Sequence, residues 1–427
     1  MSDHAVPLSA SRVLPVWRDP AAWTRSADIL AVLVALSLPW STSLVAIFAV
    51  CWMIAVIPTL QPRLLVALLR RPICAAPVAL FALAVLGTLW SDAPWGARLY
   101  AVSPTAKLLV LPLLFYHFAR SERGLHVFVA FLVSCTLLMA MSWIVAFHPG
   151  LSLKTIDPQR GIFVKNYIDQ SQEFALCAVA LAFPIITLLR ARRFLPALLL
   201  GAIALSFVVN MAFVIVSRTA MVTMPVMLGV FALLHLKWRA NVIIFAAVAA
   251  LSVLAWTTSP QLQWTTTTFL RDYRLYKERN EPTSIGERLQ FWEKSLRFIS
   301  QTPVAGHGTG STRGLFEQAA VGQVGAAGMV VGNPHNQTLY VAIQWGMIGI
   351  VVLYATWLSH LLLFRGEGLA AWIGLLVVVQ NIFTSLFNSH LFDFHEGWMY
   401  VLGVGVAGGM VLASGSGEVR AASENSG

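Results

Sequence analysis

Gly124-Leu-His-Val-Phe-Val-Ala-Phe-Leu-Val-Ser-Cys-Thr-Leu-Leu-Met-Ala-Met-Ser-Trp-Ile-Val-Ala-Phe147 contains no Asp, Glu, Lys or Arg. As a helix rising 1.5 Å per residue it would be about 36 Å long, enough to cross the roughly 30 Å hydrocarbon layer of a bilayer. Outward from it in both directions, similar stretches lie near 27–40, 42–60, 74–90, 104–119, 170–189, 194–216, 219–235, 240–257, 336–363, 368–388 and 396–414. With 124–147 they make about twelve transmembrane helices, so the expected fold is an all-α integral membrane protein. Only Ser41 or so separates the first two, which reads as a tight hairpin or a re-entrant pair.

Composition points the same way. The 427 residues are 58% hydrophobic and 11% charged, with mean hydropathy +0.73. A soluble domain needs roughly 25% charged residues to cover its surface. The net charge of +10 is explained by basic loops facing anionic lipid, and no basic run with interleaved aromatics tracks a nucleic-acid backbone. Cys51, Cys74, Cys135 and Cys177 all fall in apolar stretches without a paired spacing, so neither a disulfide framework nor a cysteine metal site is expected. The polar N-terminal stretch through Arg25 has no short apolar run with a cleavage site, so no signal peptide is expected.

The loops set the orientation. With the N-terminus cytoplasmic, 15 of the 29 Lys and Arg residues fall on inner positions, eight in one long loop, and only Arg98, Lys107, Lys154, Arg160, Lys165 and Arg218 on short outer segments. Positive charge collects inside. The chain therefore divides into a cytoplasmic tail (1–26), nine spans (27–257), a large outer loop (258–334), three spans (335–414) and a second cytoplasmic tail (415–427).

A loop of about 75 residues is longer than a linker requires and reads as a lid or binding element. Ser284-Ile-Gly-Glu287 looks like a capping box opening a helix to about Ile299, with apolar Phe291, Trp292, Leu296 and Ile299. Arg288 precedes Phe291 and Trp292 by three and four residues and shares their side. A cation in a first turn opposes the helix dipole unless an anion is bound there; pairing with Glu287 or a loop acid is the plainer reading. Gly306-His-Gly-Thr-Gly310 could form a backbone nest for an oxyanion, or a flexible turn, and Ala319–Gly332 looks mobile.

Asn333-Pro334-His335-Asn336-Gln337 opens the tenth span, Asn333 as cap and Pro334 in the first position. His335 would then sit in the first turn at the outer mouth, its imidazole kept neutral by the positive helix end, as a base or simply as an interfacial anchor. Arg218 fills the short connection Ser217-Arg-Thr219 and must snorkel to lipid phosphate or find an anion. His390, Asp393, His395 and Glu396 crowd the last outer loop in a spacing that matches no metal pattern; an acid/base, acceptor-binding or helix-capping role stays open. Arginines with a basicity-ready histidine, and no DxD-type acidic pair in the loop, suggest a bound anion such as a lipid-linked diphosphate.

His335-Asn336, nine residues, then Gly346-Met-Ile-Gly349 resembles the signature of the O-antigen ligase family, within the O-antigen ligase/polymerase superfamily. Ser217-Arg218-Thr219 and the Gly-Glu-Arg288 tripeptide match that family's basic positions, and the topology agrees along nearly the whole chain. The resemblance implies an inner-membrane glycosyltransferase of the GT-C type. It would move a glycan from undecaprenyl diphosphate to a sugar hydroxyl of lipid A–core at the periplasmic face, without a metal or other cofactor and with inversion. Arg218 and Arg288 would hold the diphosphate and His335 would be the base. Arg160, Asn336, Gln337 and Asp393 would contact substrate. An O-antigen polymerase or a protein O-oligosaccharyltransferase shares the donor and differs in the acceptor. A transporter would show two related halves, and none is visible between 27–189 and 194–414. A purely structural protein leaves the three basic groups without a common task.

Overall fold

The computed structural model describes residues 19–153 and 161–424, and its regular structure is helical, with no strand among those residues. α1 (Pro20–Ser37) and α2 (Thr42–Val56) form a tight hairpin, with Ser41 Oγ capping α2 at Leu44 N. α3 (Pro62–Leu69) and α4 (Pro72–Leu86) each start at a proline, which suits a position whose N–H has no partner, and meet at an 81° bend. α5 (Trp95–Val102) passes through a 3-10 stretch at Ser103–Leu109 into α6 (Val110–Phe118). Then come α7 (Gly124–Phe147), α8 (Tyr167–Ala180), α9 (Ala182–Arg190), α10 (Phe194–Phe213), α11 (Arg218–His235) and α12 (Trp238–Thr258). The outer segment holds α13 (Pro260–Arg279), α14 (Ser284–Gln301) and α15 (Thr312–Ala320). α16 (Gln337–Leu363), α17 (Leu369–Thr384) and α18 (Phe394–Glu424) close the chain.

Eight helical stretches among the described residues are long and apolar enough to cross a membrane, nine if the bent α3–α4 pair is one span. The twelve expected spans all fall on helices, but α11 and α17 are short apolar helices and α1 is not among the eight. A helix of 16 residues rises only about 24 Å, less than the hydrocarbon thickness. Lipid-facing surfaces are legible in the burial: on α12, Val242, Ile243, Leu251 and Val253 are exposed, as are Leu195, Leu198 and Leu205 on α10. The interior is built around α18, buried from Met399 to Leu402 and packed on α6 and α17.

The most consequential irregularity lies in α16. Gly346 adopts φ 57 and ψ −148, so two rungs of the helix are missing there. Met347 and Ile348 donate instead to Pro303 O and Val304 O, while the freed carbonyls of Ile343 and Gln344 accept from His307 N and Gly308 N. α16 thus exchanges two helix bonds for four bonds to the strap formed by residues 303–308. A side chain at 346 would meet Val304 O at 2.4 Å, in a backbone region that disfavours any Cβ.

Candidate functional site

The strap decides the fate of the expected anion nest. Gly306, Gly308 and Gly310 do have positive φ, but every N–H from 306 to 310 is spent inside the protein. Gly306 N donates to Thr302 O, Thr309 N to Gly87 O and Gly310 N to Gln344 Oε1, beside the two bonds to α16. No donor is left for an oxyanion, so the nest reading is corrected.

α14 carries Arg288 to the site. Its cap is Thr283, one residue earlier than expected, because Thr283 Oγ1 accepts from Gly286 N while donating to Asp272 O on α13. Gly286 lets the two helices touch; a Cβ there would lie 2.6 Å from Tyr276 Cβ, Cγ and Cδ2. The inner face of α14 packs Phe291 and Phe298 edge-on to Phe316, at ring separations of 5.7 and 5.3 Å. Phe291 also lies against the His335 imidazole, 6.1 Å between centroids, so the turn that bears Arg288 is fixed beside the histidine.

Among the described residues Arg288 has no carboxylate within ion-pair distance and no hydrogen bond. The plainer expectation, a pair with Glu287, is not what the side chain does. Burial holds its guanidinium below the usual range, Tyr167 opposes this, and the neighbouring Arg218 adds to it. Arg218, the first residue of α11, lies 3.9 Å from Asp272 on α13, in a half-exposed contact that solvent screens. Two guanidinium groups from different elements therefore stand close enough for the charge of one to act on the other.

His335 is not in a helical first turn. It has φ 54, two residues before α16 begins, and the cap is Asn336, whose Oδ1 accepts from Leu339 N. Asn333 instead accepts from His335 N at 3.0 Å and from Ser389 Oγ at 2.7 Å. The left-handed residue turns the imidazole off the helix axis towards Asn388, with Nδ1 3.0 Å from Asn388 Oδ1. Burial lowers the affinity of the imidazole for a proton; the Asn388 contact opposes this and the Arg288 charge reinforces it. Burial and the Arg288 charge thus both favour the neutral imidazole. Nε2 has no hydrogen-bond partner among the described residues.

The second-tier residues divide. Asn336 Nδ2 donates to Leu386 O and its oxygen caps α16, so both ends of the amide serve the fold. Gln337 is fully buried, with Oε1 accepting from Leu391 N and Nε2 without a partner among the described residues. Asp393 Oδ2 accepts from Asn388 Nδ2 at 2.8 Å, and burial pushes its carboxyl up to about 6 although Lys107 pulls the other way. Arg160 lies outside the described residues.

His390, Asp393 and Glu396 offer ligand atoms within 4.8 Å of one another and could hold an ion. The Lys107 ammonium already donates to Phe392 O and Asp393 O in the same place, and burial with Arg288 and His335 nearby pushes His390 down to about 3. Positive charge is supplied there by the protein itself. Composition-level reading missed this buried polar core: Lys165 Nζ meets His395 Nδ1 at 2.8 Å, His395 Nε2 lies 3.5 Å from Asp169, and Gln170, Gln172 and Glu173 are buried on α8. The signal was available as Asp169-Gln-Ser-Gln-Glu173, five polar residues in a row opening an apolar helix.

A cavity of about 1360 Å³ opens beside His335. One wall is polar, with Asn333, His335, Ser389 and Asp393; the other, from Ala46, Val50 and Met53 of α2, is apolar.

A Haemophilus influenzae protein described only as uncharacterized is 25% identical over 172 residues, 39% of this chain and 43% of that protein, so the chain matches less than half of its relative's length. A family profile described as O-antigen ligase matches residues 203–354. That segment contains Arg218, Arg288, His335 and the Gly346 break alike, and over it the chain is similar to the O-antigen ligase family.

Proposed function

We propose that the protein is an O-antigen ligase, transferring a glycan from undecaprenyl diphosphate to a sugar hydroxyl of lipid A–core. The observation that carries this reading is the juxtaposition of an unpaired Arg288, a nearby Arg218 and a neutral His335 with a free Nε2. His335 Nε2 takes the proton of the acceptor hydroxyl. The oxygen attacks the anomeric carbon from the face opposite the diphosphate, and the bond from that carbon to the diphosphate oxygen breaks. The charge released on undecaprenyl diphosphate is met by the two guanidiniums, so the step inverts the anomeric centre and needs no metal. The cavity beside His335 would receive the saccharide of a lipid-anchored substrate.

The arrangement proposed with it is a GT-C-type scaffold of twelve spans in the inner membrane. Its termini are cytoplasmic and its site faces the periplasm, in keeping with the 15-to-6 bias of basic residues. The test is reconstitution of the purified protein with undecaprenyl-diphosphate-linked glycan and lipid A–core in EDTA. Ligation that survives the chelator and is lost in His335→Ala is expected. Undiminished ligation by His335→Ala would remove the base assignment, and loss in EDTA would return His390, Asp393 and Glu396 to consideration as metal ligands. Transfer to a second glycan repeat or to a protein would make the enzyme a polymerase or a protein O-oligosaccharyltransferase.

A further inference from the structure

We infer that Asn388, braced by Asp393, is a positioning residue that fixes the tautomer of His335 so that Nε2 presents its lone pair to the acceptor. The inference rests on the reading of His335 as the base.

Asn388 makes three side-chain contacts, and together they fix which way its amide points. Asp393 Oδ2, 2.8 Å from Nδ2, can only accept from the amide when ionised, so the NH₂ group must face it. The oxygen then faces Nδ1 of His335 at 3.0 Å and Nδ2 of Asn333 at 3.3 Å. Asn333 is itself fixed, since its own oxygen accepts from His335 N and Ser389 Oγ. An amide oxygen accepts but does not donate, so the proton of the neutral imidazole sits on Nδ1. The lone pair is left on Nε2, the nitrogen with no partner among the described residues. Asp393 is held in turn: Lys107 reaches from the 3-10 stretch before α6 to the carbonyls of Phe392 and Asp393. A carboxylate, an amide and an imidazole thus stand in line, with the amide passing on orientation where a carboxylate would also pass on charge. That difference suits a base beside two arginines: a carboxylate in place of Asn388 would raise the proton affinity of His335, and the amide leaves it low.

Arg288 on α14 and His390 in the 385–393 loop act on His335 or feel it electrostatically. Neither contacts Nδ1.

The experiment compares full-length protein in nanodiscs carrying Asn388→Ala, Asn388→Asp, Asp393→Asn or His335→Ala. Two readouts are taken: ligation kinetics, and ¹⁵N-histidine spectra in which the His335 signals are identified by their absence in His335→Ala. The wild type is expected to show Nδ1 protonated and Nε2 bare. Asn388→Ala is expected to lose that tautomer and to lower kcat about 10- to 100-fold with KM little changed, as for other groups that orient a functional histidine. Asn388→Asp restores an acceptor for Nδ1 but sets its second oxygen against Asp393 Oδ2, where the two carboxyls must share a proton, so it should recover part of kcat. Asp393→Asn should give a smaller kcat loss of the same kind. An Nε2-protonated His335 in the wild type, or full kcat in folded Asn388→Ala, would overturn the inference while leaving the base assignment intact. Full activity in His335→Ala would overturn the base assignment and this inference with it.

Discussion

Gly286→Ala probes the crossing that delivers Arg288 to the site. In an exposed helix this change stabilises by about 1 kcal/mol, because alanine is the better helix former. Here the added methyl would lie 2.6 Å from Tyr276, about 0.8 Å inside ordinary van der Waals contact. Tyr276 cannot swing clear: its own Cβ is among the atoms struck, and its hydroxyl accepts from Gln290 Nε2 at 2.8 Å. The two helices must therefore part by a good fraction of that 0.8 Å. Overpacking of this kind costs about 1–3 kcal/mol, which outweighs or at least cancels the gain in propensity. Arg288 sits two residues along on the displaced turn. A misplacement approaching 1 Å in a group that must meet a transition-state charge costs about 100-fold in rate. The assay is ligation by purified Gly286→Ala beside its thermal melting in detergent. The expected pair is a Tm no higher than wild type and transfer reduced about 100-fold. A raised Tm with transfer within about threefold of wild type would show that the α13–α14 contact is loose and that Arg288 is not held by it.

Arg288→Ala should lower kcat by about 100- to 1000-fold, the usual loss when a charge-stabilising donor is removed, and Arg288→Lys should recover only part of it because the forked geometry is missing. Steady-state ligation of the three proteins checks this, and a lysine variant equal to wild type would argue against a forked contact with diphosphate. The acid limb of the kcat/KM–pH profile, which reports the free enzyme, should fall below 6.5. Burial and the Arg288 charge disfavour the imidazolium, so the base stays unprotonated as pH drops through the ordinary histidine value and is lost only at lower pH. A midpoint at or above 6.5 would contradict that environment.

Each basic member of the site could be found in the sequence because it was an isolated charge next to an apolar run: Arg218 at the start of α11, Arg288 on an otherwise amphipathic turn, His335 before α16. Long uncharged stretches likewise announce helices, and all twelve expected spans lie on helical segments, although eight of the stretches have the length and composition to cross alone. What escaped was whatever depends on distant partners. Asn333 and Asn336 both qualify as caps by residue type, and only the left-handed backbone at His335 puts the helix start after the second. Asn388 is a neutral amide 53 residues from His335, and nothing local marks it. The glycines of 306–310 were legible as unusual backbone, but not the destination of their N–H groups, which for Gly308 and Gly310 is Gln344 on α16.

The exchange of bonds at Gly346 has a mechanical consequence. α16 cannot straighten unless the 303–308 strap lets go, and while the helix stays bent a released strap would leave the carbonyls of Ile343 and Gln344 without donors in the interior. Each stranded carbonyl would cost about 1–3 kcal/mol. The strap continues from α14, and His335 stands two residues ahead of α16, so Arg288 and His335 ride on one welded piece. Arg218 rides on another, joined to it through the screened contact with Asp272. For the lipid-linked substrate proposed above, entry or exit would part the two arginines more readily than it would part Arg288 from His335.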